Sequence, residues 1–234
     1  MSELATTPVG SERAATPAAA LPEQREVRRP IRGIRRVIAQ RMALSHAEIP
    51  GVHVVEEVDV THLDLRRLVA VSAAATARVV AHHPVFNAHV VDREIVEFTR
   101  CDVAVAVDTP HGLMAPVVRD CGRRSVDEIQ SEIDRLADLA RVGKLAPADL
   151  IGATITVTSP GKRGGVLATP LINHPQTAII GLHRATERVV VRDGAFVVRK
   201  MANLTVTFDH RVIDGAEAGD VAIELRAELE RAHE

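Results

Sequence analysis

The chain is predicted to fold as an α+β protein, a mixed β-sheet with helices packed on one side. Runs with a two-residue apolar period, such as Leu204, Val206 and Phe208, stand among runs with helical spacing, such as Val221, Leu225 and Leu229. From Pro30 onward the two kinds are interleaved, with no internal repeat. The 234 residues, 46% of them hydrophobic, suffice for one large core or two small ones. Layers of helix on sheet bury both kinds of apolar face.

The elements follow in order. Residues 1–29, rich in Ala, Pro, Thr and Ser and closing on Arg25, Arg28 and Arg29, read as a solvated, disordered arm; residues 30–234 form the folded domain. Ile31, Ile34, Ile38 and Met42 make the apolar stripe of a first helix that stops before Pro50. Val52 to Val60 is a strand. Asp64 is the expected cap of a second helix carrying Leu65, Leu68, Val69, Val79 and Val80. Ile95 to Phe98, Asp102 to Asp108 and Leu113 to Val118 are further strands. Ser125-Val126-Asp127-Glu128 is a capping box for a helix with Val126, Ile129, Ile133, Leu136 and Ala140 on one face and Gly143 as its stop. Ala153 to Thr158 and Thr177 to His183 are strands, and Asp193-Gly194 turns a hairpin. The last strand, around Leu204 to Phe208, feeds the last helix.

Composition narrows the function. The net charge of -2 calls for neither nucleic acid nor an acidic membrane surface, and apolar runs such as Val103 to Val107 are too short to span a bilayer. The start, with Glu3 and Glu12, does not read as a signal peptide. Trp and Tyr are absent, which removes the stacking platforms of a single-strand binder. Cys101 and Cys121 are isolated, so neither a disulfide nor a zinc site is expected, and a reducing cytoplasm fits. His82, His83 and His89 lack a ligand pattern of recognised spacing, and no metal is expected.

The run Asp209-His210-Arg211-Val212-Ile213-Asp214-Gly215 carries the chemistry. It places His210 on a strand-to-helix turn, where an imidazole with a carboxylate four residues on suits a general base. The same pattern also fits a surface turn in which His210 is merely polar and Asp214 merely caps the helix.

The heptapeptide resembles the signature of the acyltransferase component of 2-oxoacid dehydrogenase complexes, shared in looser form with chloramphenicol acetyltransferase. Further runs are similar to that family in the same order: 34–42, 109–120, 155–161 and 169–181. The resemblance covers most of the chain from Pro30 to Glu230. It implies the two-layer chloramphenicol acetyltransferase-like fold, and transfer of an acyl group between coenzyme A and a thiol such as a dihydrolipoyl group. It implies His210 as the base, Thr158 as the oxyanion donor with Ser159 beside it as the fallback, and Asp214 as the holder of the histidine turn. Arg211, Arg32, Arg35, Arg36 and Arg41 all remain open as partners of Asp214. It implies, too, a homotrimer in which His210 of one chain meets Thr158 of its neighbour.

Other residues keep two readings. Thr158 alone is also a β-branched residue favoured by a sheet. Lys162 and Arg163, in a basic glycine loop, are either partners of coenzyme A phosphates or part of a solvated turn. Asn173 is either a polar group of the substrate channel or a structural hydrogen-bonding group.

Relative to the family pattern, the stretch between Val60 and Pro84 is short, which implies a remodelled channel, and Gly51-Val52-His53 stands where aromatic residues are common. No lipoyl domain is present, so any lipoyl group is expected in trans, on a lipoyl-carrying partner. The charged end Leu229-Glu230-Arg231-Ala232-His233-Glu234 leads to the expectation that assembly stops at trimers. An acyltransferase using a different, non-lipoyl acceptor and a non-catalytic trimeric scaffold are the alternatives.

Overall fold

The computed structural model of the chain describes residues 26–110, 112–161 and 164–232. Lys162, Arg163, His111, the last two residues and the arm up to residue 25 lie outside the described residues. A compact unit begins at Arg32. No helix among the described residues is long and apolar enough to cross a membrane.

The main sheet has seven strands. β1 (Gly51–Asp59) lies at one edge, then β11 (Ala195–Asp209), β9 (Ala178–Leu182), β8 (Ile155–Thr158), β4 (Val103–Val105) and β7 (Val117–Val118); β10 (Thr186–Arg192) pairs with the outer half of β11. β8 runs parallel to both β9 and β4, while the other pairs are antiparallel, so the sheet is mixed. The Asp193-Gly194 turn between β10 and β11 has φ of 50° and 79°, the positive values that a two-residue hairpin demands. Two small hairpins stand apart: β2 (Ala88–Val91) with β3 (Glu94–Glu97), and β5 (Val107–Thr109) with β6 (Gly112–Met114).

Three helices cover one face of the sheet: α2 (Leu68–Val80), α3 (Val126–Arg141) and α4 (Gly215–Arg231). α2 is alanine-rich and buried along nearly its whole length. It lies against α3, α4 and the sheet, where small side chains let backbones approach. Ile155, Val157, Ile180, Leu204, Val206 and Phe208 meet these helices in one apolar core. At the start of α3, Ser125 Oγ accepts from Glu128 N at 3.2 Å and Glu128 Oε2 accepts from Ser125 N at 2.7 Å, completing the capping box.

α1 (Ile34–Glu48) stands outside this layer. Ser45 Oγ near its end donates to the Ile172 carbonyl at 2.6 Å, and Ile49 joins Ile172 and Ile179 in a small cluster. Of the expected apolar stripe, Ile34, Ile38 and Met42 lie on α1 with Ile38 and Met42 half-buried and Ile34 exposed, while Ile31 precedes the helix and is exposed.

Two boundary expectations are corrected. The strand expected over Asp102 to Asp108 is two strands, β4 and β5, in different sheets. Its partner segment breaks in the same place, at Pro116, which has no N–H to continue the ladder. The second helix starts at Leu68, with Arg67 at the cap position. Asp64 instead closes a turn of its own, its carboxylate accepting from Arg66 N at 3.0 Å and its carbonyl from Arg67 N at 2.9 Å.

Candidate active site

β11 delivers His210 to the surface at the end of the sheet. The preceding Asp209 N donates to Thr177 O at 2.8 Å, and His210 N donates to Pro50 O at 3.2 Å, so the strand is anchored up to the histidine itself. The imidazole is exposed and leans on Phe208, with ring centroids 5.5 Å apart. Among the described residues no hydrogen bond to the ring is formed within the chain. α4 follows at once, with Asp214 at its cap position.

Asp214 does not hold this turn within the chain: it is exposed and its side chain caps no amide. Arg211, one of its expected partners, is turned to Asp209 instead, with Nη2 to Oδ2 at 2.6 Å and Nε to Oδ1 at 2.9 Å. Asp209 lies two residues away and is wholly buried, so it offers the guanidinium the nearer and less hydrated carboxylate.

Thr158 ends β8, half-buried, on the face opposite the helices. That face carries Thr156 and Thr158 on β8, Gly181 and His183 around β9, and Asn203, Thr205, Thr207 and Asp209 on β11. Most of these groups are paired. Thr156 Oγ1 donates to Gln176 Oε1 at 2.7 Å and accepts from Asn173 Nδ2 at 2.9 Å, which ties the Asn173 amide into the scaffold. His53 Nδ1 and Thr207 Oγ1 are 2.8 Å apart, as are His183 Nε2 and Thr205 Oγ1. Burial lowers the pKa of both histidines and favours the neutral rings. His183 is 2% exposed and its Nδ1 has no partner. Ser159 Oγ accepts from Gly161 N at 3.3 Å, and the Thr158 hydroxyl makes no hydrogen bond within the chain among the described residues.

The register fixes the distance between the two principal candidates. Thr158 lies level with Gly181, and Gly181 level with Thr205. His210 is five residues beyond Thr205 along β11. At about 3.4 Å per residue and about 4.8 Å per strand, the two residues of one chain are roughly 20 Å apart. An oxyanion donor must act within about 3 Å of its target, so His210 and Thr158 of one chain cannot serve one reacting centre.

The remaining candidates are accounted for. His83 Nε2 faces Glu224 at 3.2 Å and His89 Nε2 faces the Ala153 carbonyl at 2.9 Å, in separate tasks. Cys101 and Cys121 are buried free thiols; burial raises the pKa of both, that of Cys121 to about 12. Neither is a thiolate nucleophile near neutrality. Sequence reasoning missed the Asp209–Arg211 pair and His183. The signal for both is the strand period, since Asp209 and His183 fall on the non-helix side of segments whose alternate residues are core.

The sequence profile of the 2-oxoacid dehydrogenase acyltransferase catalytic domain matches residues 23–234. The acetyltransferase component of the Bacillus subtilis pyruvate dehydrogenase complex is 40% identical over 210 residues, covering 82% of this chain and 48% of that protein. The chain spans about half the length of the curated relatives it matches. Among solved structures, a probable dihydrolipoamide acetyltransferase of Listeria monocytogenes superposes with a TM-score of 0.83 at 32% identity, over 89% of this chain and 96% of that one. The dihydrolipoamide acetyltransferase of Azotobacter vinelandii, studied for the catalytic role of a serine, a histidine and an asparagine, gives a TM-score of 0.83 at 29% identity, over 89% and 92%. Chloramphenicol acetyltransferase shares the fold alone, at 15% identity and a TM-score of 0.50 over 81% and 94%.

Proposed function

Because the chain belongs to the family of 2-oxoacid dehydrogenase acyltransferase catalytic domains, we propose that it moves an acyl group between coenzyme A and a thiol acceptor such as a dihydrolipoyl group. His210 takes the proton of the attacking thiol and returns it to the leaving thiolate. Thr158 donates to the oxyanion of the tetrahedral intermediate, a contribution of roughly 2.7–4 kcal/mol when the donor is well aimed. Asp214, whose carboxylate is unengaged within its own chain, meets a cation of the neighbouring chain and steadies the turn from outside. Lys162 and Arg163 pair with the phosphates of coenzyme A, and Ser159 and Asn173 contribute further polar contacts to it.

The observation that carries this reading is the separation of Thr158 and His210 along the sheet. Two groups of one reaction, too far apart in one chain and each without a hydrogen-bond partner among the described residues, call for a second copy. Each site is completed by His210 of one protomer and Thr158 of the next, and a closed ring of three satisfies every site. The Azotobacter vinelandii enzyme adds support. Its named serine, histidine and asparagine have the same separations along the chain as Thr158, His210 and Asp214 here.

The test supplies acetyl-, propionyl- or isobutyryl-coenzyme A with free dihydrolipoamide. Acyl transfer to dihydrolipoamide is expected with at least one of them, falling by at least about 10²-fold in His210→Ala. Binding of coenzyme A without transfer to dihydrolipoamide reassigns the acceptor. Absence of coenzyme A binding reduces the protein to a scaffold.

A further inference from the structure

We propose that Asp209 and Arg211 are positioning residues for His210, a clamp closed around the histidine that acts through it and not on the substrate. The inference rests on His210 being the base. The side chain of Asp209 spends its bonds within two residues of itself: Oδ1 accepts from Arg211 N at 3.0 Å and Arg211 Nε at 2.9 Å, and Oδ2 from Arg211 Nε at 3.0 Å and Nη2 at 2.6 Å. Its carbonyl accepts from Val212 N and Ile213 N, both at 3.1 Å. His210 is the residue enclosed by this ring of bonds. With Asp209 fixed to Thr177 on one side and Arg211 fixed to Asp209 on the other, the backbone of His210 has little freedom left.

A purely stabilising role does not fit the placement. The Asp209 carboxylate is wholly buried, and burying a charge carries a desolvation cost that a partner must offset. The buried Asp102 makes a similar local pair with Arg100 two residues away, but there Arg119 also ties the carboxylate to the Ala148 and Ile151 carbonyls of a distant segment. Among the described residues the Asp209–Arg211 side-chain hydrogen bonds join only the two neighbours of His210, with the Glu48 carboxylate acting on Arg211 through space. Two parallel bonds from a planar guanidinium fix direction as well as distance, which an ammonium on a flexible stem does not reproduce. Arg211 also borders an open cleft beside Glu48 and His174, so a direct contact with substrate is the competing role.

The experiment measures steady-state acyl transfer by the full chain with Arg211→Lys and Asp209→Asn, each in the native background and in His210→Ala. Arg211→Lys keeps the charge and removes only the fork, so it carries the test if Asp209→Asn does not fold. Each variant is expected to lower kcat by about tenfold or more, since small misplacement of a reacting group is costly. The KM for coenzyme A is expected to stay within about twofold. Neither substitution is expected to slow His210→Ala any further, because a group acting through the imidazole has nothing left to position.

Equal losses in both backgrounds would show a general structural role and overturn the proposal. A raised KM at unchanged kcat would make Arg211 a substrate contact, and an unchanged rate would leave the clamp idle; either overturns it as well. Full turnover in His210→Ala alone is a separate result, which defeats the assignment of the base and removes the clamp with it.

Discussion

Along β11, Leu204, Val206 and Phe208 turn toward the helices and are fully buried, while Thr205, Thr207 and Asp209 turn the other way and are buried just as completely. The two faces of the same strands differ in how their burial is satisfied. The helix side is closed by the chain's own α2, α3 and α4 and needs only packing. The opposite side is closed largely by hydrogen bonds, and among the described residues the Nδ1 of His183 and the half-buried hydroxyl of Thr158 at its rim make none. In the proposed function Thr158 acts from the second face, while His210 stands just beyond the end of β11 with its ring against Phe208 of the first.

Substitutions on each side break or sharpen this contrast. Phe208→Ala on the helix face is expected to cost about 3–5 kcal/mol in denaturant unfolding; a loss below about 1 kcal/mol would mean that this core does not carry the fold. Thr158→Val on the other face is expected to lower kcat by roughly 10²–10³ while stability stays within about 0.5 kcal/mol. An unchanged kcat would remove Thr158 as the oxyanion donor. Ser125→Ala belongs to neither face. Loss of its cap is expected to cost about 1 kcal/mol of stability with no effect on turnover.

The smallest effect is expected from pH. Burial lowers the pKa of His53, His89 and His183 from 6.5. Just below 6.5 the unfolded chain therefore binds protons that the folded chain does not. The stability they contribute is complete above that value and is lost as pH falls through the lowered folded values. Unfolding free energies at about pH 7.5 and about pH 5.5 should show the decline, and His183→Gln should make it shallower. A rise in stability over that range would contradict the neutral, buried state of these rings.

What the sequence made legible was local. The capping box at Ser125, the Asp193-Gly194 turn and the passage from β11 through His210 into α4 are each written in a few adjacent residues, and each is present. The break between β4 and β5 was not legible from 102–108, because the proline that interrupts the ladder sits on the other strand. The start of α2 was obscured by Asp64, whose side chain closes a turn of its own. The partner of Arg211 escaped attention because two carboxylates, Asp209 and Asp214, compete for it, and burial decides between them. The stripe on α1 was visible as a pattern, but where the helix begins was not, and Ile31 falls before it.

The central claim, a site shared between chains, is tested most directly by mixing two variants that are each inactive. His210→Ala and Thr158→Val chains are unfolded together in equal amounts, reassembled and assayed. With sites built from neighbouring protomers, random assembly pairs an intact His210 with an intact Thr158 at about one site in four, so about a quarter of native turnover should return. No recovery, with the mixed trimers shown to have formed, would contradict the shared site and with it the proposed mechanism.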